Sequence, residues 1–282
     1  MNSYRLGLYE KSMPNTLGIK EKLRLAKKAG FDFIELSIDE SEEKLSRLDF
    51  SYNDIKTIKK DMEDTGIYIQ SICLSGHRKY PLGSLEPVMQ EKSLEIMEKA
   101  IKLAYKLGIR YIQIAGYDTY YDTSTEKTKM IFLENLIKSV EIASTYGVII
   151  AFETMETPFM NTTEKAMFYI NQIKSPYLKI YPDIGNITNA FEANHIEVIK
   201  DLSKGKGHVV AAHLKETKPG HFRNLSFGEG HTDYNACLTA LINQGVRLFV
   251  GEFWYLGEDH WEEKIVAANL FLRKHIEEVM NK

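Results

Sequence analysis

The stretch AYKLGIRYIQIAG, residues 104–116, contains the end of a helix, a stop and a strand in thirteen positions. Ala104 and Leu107 continue a helical spacing of apolar residues that begins near Ser93. Gly108 accepts the left-handed conformation that ends a helix, and a β-rich run follows at once. The same phrase recurs as AKKAGFDFIELS (26–37), DMEDTGIYIQSICLS (61–75), ASTYGVIIAFE (143–153) and LINQGVRLFVGEF (241–253). Two further runs, SPYLKIYPD (175–183) and GKGHVVAAHLKE (205–216), enter their strands by other turns, and YRLGLYE (4–10) opens the chain's strand pattern. Eight strand candidates result. Their apolar runs are continuous rather than alternating, as in parallel strands buried on both faces.

Segments between these runs read as amphipathic helices, and TTEKAMFYINQI (162–173) opens with threonines suited to capping. No Pro- or Ser-rich linker divides the chain. Eight β-then-α units predict a single (β/α)8 barrel domain over residues 1–282. The alternative, an open doubly wound sheet, usually carries a Gly-rich phosphate loop after its first strand, and LGLYEKSMPNT (6–16) is not one. The totals suit a globular protein: 44% hydrophobic residues, 27% charged and a formal net charge of −3. That balance argues against a nucleic-acid partner. With two cysteines and no CxxC pair, neither a thiolate zinc site nor a disulfide framework is indicated. With no apolar signal core and no membrane-length apolar run, the expected location is the cytoplasm, with no membrane partner.

In a barrel of this kind the active site lies at the C-terminal ends of the strands. Those ends supply, in order, Glu10; Glu35 with Ser37; Ser75 with His77 and Arg78; Gly116 with Tyr117; Glu153 with Glu156; Asp183 with Asn186; His213 with Lys215; and Glu252 with Trp254. Glu153, Asp183, His213 and Glu252 each place one ionisable group at the end of an apolar run, on the fifth to eighth strands. A carboxylate buried there needs a partner or a metal. Three carboxylates and an imidazole suit a divalent cation; the oxygen-rich set favours Mn²⁺ or Mg²⁺, and the imidazole keeps Zn²⁺ and Co²⁺ open. Each residue taken singly has an ordinary alternative, as a helix N-cap or the partner of a lysine, so the signal lies in the set.

The motifs LGLYEKSMP, FDFIELSIDESEEKLSRLDF, SICLSGHRKYPLGS, IQIAGYDTYY, YPDIGN, HLKETKPG and FGEGHTDY together resemble the L-ribulose-5-phosphate 3-epimerase family. The likeness runs from the first strand to the eighth, and the four-residue pattern is shared with the wider group of xylose-isomerase-like barrels. The resemblance implies a metal held by Glu153, Asp183, His213 and Glu252. It also implies that Glu153 and Glu252 act as proton-transfer bases on opposite faces of a phosphorylated ketopentose, in L-ascorbate and pentose catabolism. It implies no organic cofactor and a homodimer. This chain has Asn186 and Pro219 where ketose 3-epimerases of free sugars carry His and Arg, which points away from an unphosphorylated substrate.

A phosphate requires cations or backbone N–H groups, and barrels often bind it near the loops after strands seven and eight. Lys215, Lys218 and Arg223 on the strand-seven loop are the candidates, with His77 and Arg78 after strand three; a salt bridge or a solvated position is the ordinary alternative for each. Glu156 and Asn186 complete the expected substrate contacts. Tyr9 and Trp254, each an apolar ring with a polar handle, are candidates to wall the sugar pocket or to pack the rim. FGEGHTDY is expected to cap the following helix through Thr232 or Asp233. The rivals are a metal nuclease of the abasic-site type, an aldose–ketose isomerase and a non-catalytic sugar-phosphate sensor.

Overall fold

The computed structural model describes residues 4–281, so the first three residues and the last of the expected domain lie outside the described residues. Eight parallel strands form one sheet: β1 (Arg5–Tyr9), β2 (Phe33–Ile38), β3 (Tyr68–Leu74), β4 (Tyr111–Ala115), β5 (Ile149–Glu153), β6 (Leu178–Tyr181), β7 (Ala212–Leu214) and β8 (Leu248–Gly251). Among the described residues ten α-helices surround it: α1 (Ile19–Lys28), α2 (Glu42–Leu45), α3 (Tyr52–Thr65), α4 (Pro87–Leu107), α5 (Glu126–Tyr146), α6 (Thr163–Ile173), α7 (Ile184–Ala190), α8 (His195–Lys204), α9 (Tyr234–Asn243) and α10 (Trp261–Met280). The strand order β6-β5-β4-β3-β2-β1-β8-β7 is that of a barrel, and parallel bridges Ile180–Val209 and Asp183–His213 join its two ends. None of the helices among the described residues is long and apolar enough to cross a membrane.

The helix-stopping glycines take the predicted conformation. Gly108 and Gly147 close α4 and α5 with φ of 75° and 67°, and each next strand starts within three residues. The seventh strand is shorter than its apolar run suggests. Ile180 is bonded in both directions, its N–H donating to the His208 carbonyl (2.9 Å) and its carbonyl accepting from Val210 N–H (3.0 Å), and the next bond runs from His213 N–H to the Pro182 carbonyl (2.9 Å). Pro182 has no N–H to return, so the ladder is interrupted there.

Two layers of packing position the site. The larger core lies between the outer face of the sheet and the helices, with Leu6, Ile72, Ile112, Phe152 and Phe249 fully buried. The barrel interior holds a second cluster: Tyr9, Phe33, Cys73, Ala151, Tyr181, Ala211 and Val250. In a strand, residues i and i+2 share a face. Two positions beyond Phe33, Ala151, Ala211 and Val250 are Glu35, Glu153, His213 and Glu252. The apolar plug therefore gives way, one pleat higher, to a layer of ionisable groups at the C-terminal mouth.

Candidate metal centre and active site

Glu153 ends β5, Asp183 follows β6 by two residues, His213 lies in β7 and Glu252 directly follows β8. Local bonding fixes each. Asp183 N-caps α7, its Oδ1 accepting from Asn186 N–H at 2.8 Å, while its own N–H donates to Thr154 Oγ1 at 2.9 Å. The Glu252 N–H donates to the Leu214 carbonyl at 2.9 Å. All four residues are buried, and one ligand atom from each lies within 4.8 Å of all the others. His213 turns Nδ1 toward the carboxylates, 3.2 Å from Glu153 Oε1, 3.4 Å from Glu252 Oε2 and 4.0 Å from Asp183 Oδ2.

Asp183 Oδ2 and Glu252 Oε2 are buried and receive no hydrogen bond, although Lys215 Nζ stands 3.1 and 3.2 Å from them. Three carboxylates, one imidazole nitrogen and two unsatisfied buried oxygens make a donor set that fits a hard or borderline divalent cation. The electrostatics of the protein alone express the same demand. Burial, followed by the charge of Glu252, raises the Glu153 pKa; burial pushes that of Asp183 up to about 8, despite Lys215. At Glu252 burial acts upward, but Lys215 and His213 outweigh it and hold the carboxyl well below its ordinary range. At His213 burial disfavours the imidazolium, but Glu35, Glu252 and Glu153 together outweigh it and hold the pKa well above the usual value. A divalent cation would replace those protons as the compensating charge.

Above the cluster a pocket is lined by Tyr9, Lys11, Cys73, Ser75, Arg78, Glu153, Met155, Glu156, Lys215, Phe222, Arg223, Glu252 and Trp254. It contains eight of the thirteen residues that sequence reasoning singled out. Tyr9 and Trp254 meet edge to face, with centroids 6.1 Å apart. Arg223 and Lys215 lie over the Trp254 ring at 5.4 and 5.6 Å. Glu156 accepts from Tyr117 OH at 2.9 Å and faces Arg223 at 3.6 Å. Arg78 lies over the Tyr120 ring at 4.9 Å and the Tyr117 ring at 5.9 Å.

Of the remaining five, Asp183 and His213 form the floor beneath Lys215, and three lie elsewhere. His77 is buried with Nε2–H donating to the Ser93 carbonyl of α4 at 3.1 Å, so it packs beneath the loop instead of facing the pocket. Lys218 is exposed, in a turn closed by paired backbone bonds with His221. Asn186 spends its side-chain amide on the Thr154 carbonyl, at 2.7 Å, within the support of Asp183. Lys215, a phosphate candidate with a salt bridge as its alternative, ends between Asp183 and Glu252, because its stem leaves the end of β7 directly over the cluster.

Two residues of the centre escaped the sequence reasoning. Gln113, on β4, donates from Nε2 to Glu153 Oε2. Glu35, noted only as a strand-end carboxylate, contacts His213 Nε2 at 2.5 Å. The available signal was a carboxylate or amide side chain inside an otherwise largely apolar strand, Glu35 in FIELSI and Gln113 in YIQIA.

Comparison with known proteins agrees with this architecture. The family described as Xylose isomerase-like TIM barrel matches residues 23–275. A protein of Shigella boydii serotype 18 (strain CDC 3083-94 / BS512) named L-ribulose-5-phosphate 3-epimerase UlaE is 45% identical over 240 residues, covering 85% of this chain and 83% of that protein. A protein of the same name from Escherichia coli (strain SE11) matches equally. Among solved structures, an L-ribulose 3-epimerase superposes with a TM-score of 0.79 at 18% identity, covering 99% of this chain and 96% of that one. The fold, the strand-end cluster and these similarities lead to one conclusion: the chain belongs to the xylose isomerase-like TIM-barrel family and, within it, to the L-ribulose-5-phosphate 3-epimerases.

Proposed function

We propose that the chain, acting as one (β/α)8 domain, interconverts L-ribulose 5-phosphate and L-xylulose 5-phosphate by moving the proton on carbon 3 from one face to the other. The observation that carries this reading is the buried Glu153–Asp183–His213–Glu252 cluster at the floor of a pocket walled by Tyr9 and Trp254. Epimerisation beside a ketone requires a base on one face, an acid on the other and stabilisation of the enediolate between them. Glu153 and Glu252 approach from strands five and eight and serve as that pair, one taking the carbon-3 proton while the other returns one. The elevated Glu153 pKa suits a carboxyl that must hold a proton during turnover, and Gln113 steadies its second oxygen. A divalent cation (Mn²⁺, Mg²⁺, Zn²⁺ or Co²⁺) held by the four residues would supply positive charge for the enediolate. Nothing in this chemistry calls for an organic cofactor.

The phosphate end of the substrate is assigned to Arg78, with Arg223 lining the same pocket. Among the pocket's cations, Lys11 is paired with Asp39, Lys215 with Asp183 and Glu252, and Arg223 loosely with Glu156, whereas Arg78 forms no ion pair among the described residues. Its guanidinium rests on two tyrosine rings and keeps its charge for an anion. The reading also carries a role in L-ascorbate catabolism, a homodimer, a cytoplasmic location and no nucleic-acid partner. A nuclease centre with several zinc ions fits less well, since the metal-capable cluster among the described residues offers one histidine.

Solvent deuterium exchange at carbon 3 tests the assignment. The wild type is expected to exchange, and Glu153→Gln and Glu252→Gln are each expected to lose epimerisation. Full exchange in both variants overturns the two-base reading.

A further inference from the structure

Glu35 is wholly buried on β2, on the far side of the barrel interior from β7, and its only ion-pair partner among the described residues is His213. Its Oε1 accepts from His213 Nε2–H at 2.5 Å. Its Oε2 accepts from Ser71 Oγ–H at 2.7 Å and from Tyr181 O–H at 3.0 Å. The β2–β3 register shifts between Ile34 and Glu35, which sets Glu35 opposite Ser71. Tyr181 also packs edge-on against the His213 ring, with centroids 5.1 Å apart at 71°. The imidazole is therefore held at its edge by Glu35 and across its face by Tyr181.

A carboxylate can only accept from Nε2, so Nε2 keeps its proton and Nδ1 is the nitrogen left to ligate. Nδ1 faces Glu153, Asp183 and Glu252, and a cation held among them would take the Nδ1 lone pair in place of the proton that these carboxylates otherwise favour. From this geometry we infer that Glu35 is a positioning residue of the metal centre: it fixes the tautomer and rotation of His213 and makes Nδ1 a better donor, with Ser71 and Tyr181 holding Glu35 in turn. A second carboxylate behind a ligating histidine raises ligand basicity and locks the ring. It also accounts for a carboxylate buried where no lysine or arginine among the described residues pairs with it. The inference rests on the metal reading above and adds a residue to it.

The experiment is Mn²⁺ or Zn²⁺ binding to the metal-free full-length protein, measured by competition with a chromophoric chelator, so that turnover plays no part. Glu35→Ala is expected to weaken affinity about 10–100-fold, with Glu35→Gln, which keeps an acceptor but loses the charge, between it and wild type. In a His213→Ala background Glu35→Gln is expected to have no further effect. Tyr181→Phe, which keeps the ring against His213 but removes one bond to Glu35, is expected to weaken binding about two- to tenfold and serves where a Glu35 variant fails to fold. Wild-type affinity in the folded Glu35 variants, or in Tyr181→Phe where those do not fold, overturns the role of Glu35 and leaves the metal centre standing. An equal loss with and without His213 overturns it as well. A wild-type protein that binds no divalent ion overturns both readings.

Discussion

Arg78 and Lys215 show how much a single side chain's surroundings decide. Both are cations near the same pocket. Lys215 is buried among Asp183, Glu252 and Glu153, whose charges outweigh burial and raise its pKa, so its charge is already committed. Arg78 has aromatic neighbours and no ion pair among the described residues. Arg78→Ala is therefore expected to raise KM for the phosphorylated ketopentose about 10–100-fold, the worth of a charged hydrogen bond, with a smaller change in kcat. Steady-state kinetics check this, and an unchanged KM would move the phosphate elsewhere. For Lys215→Met the expectation reverses. Leaving two buried carboxylates uncompensated disturbs the centre itself, so kcat falls while KM changes less. Sequence reasoning named both residues; only their neighbours separate the roles.

At the scale of elements, one buried carboxylate ties distant parts of the loop between β7 and α9 together. Glu216 accepts from the backbone N–H groups of Thr217 (3.1 Å), Gly228 (2.8 Å) and Thr232 (3.2 Å), so the loop that carries Arg223 is strapped to the end of the strand. Asp233, one of two predicted caps, then starts α9 by accepting from Ala236 N–H at 2.9 Å; Thr232 instead reaches the Lys215 carbonyl at 3.2 Å. Asp233→Ala is expected to cost about 1 kcal/mol, read as a lower denaturant midpoint with kcat preserved. The helices and their glycine stops were legible because capping and periodicity are local. The short β7 was less so, because its hydrogen bonds depend on Pro182, directly after β6.

For the whole molecule, two buried groups just behind the pocket lining, Glu10 and His77, contribute to the response to acid. Glu10 receives Lys22 (2.7 Å), Lys44 (3.0 Å) and both terminal nitrogens of Arg47 (2.6 and 2.7 Å), and so ties the end of β1 to α1 and to the α2 region. Burial pushes its pKa up, but Arg47, Lys22 and Lys44 together bring it well below the carboxylate range. Its contribution is present above the ordinary glutamate pKa and is lost as pH falls through the folded value. Glu10→Gln leaves three cations without their charge partner and is expected to cost about 3–5 kcal/mol, measurable by denaturant unfolding. His77 acts in the same direction at higher pH. Burial lowers its pKa from 6.5 to about 4, so between those values the unfolded chain binds a proton that the folded chain refuses. Stability is therefore expected to fall as pH drops from about 6.5 to 4, by roughly 3 kcal/mol, and His77→Gln is expected to flatten that limb. The same limb in the variant would assign the acid sensitivity to other groups.

The sequence alone determined the barrel. Its eight apolar runs and five helix-ending glycines are local signals, and parallel strands with intervening helices close into few architectures. It also determined the four strand-end residues of the centre, since a barrel sends every strand end to one mouth. Tertiary structure decided what surrounds them. Glu35 and His213 are 178 positions apart and meet only because the closed sheet folds its interior faces onto one axis. The separation of Lys215 from Arg78, and the removal of His77, Lys218 and Asn186 from the pocket, follow from the same cause. Which way a side chain points is set by packing and hydrogen bonds contributed by other strands, and no local pattern in the sequence encodes those partners.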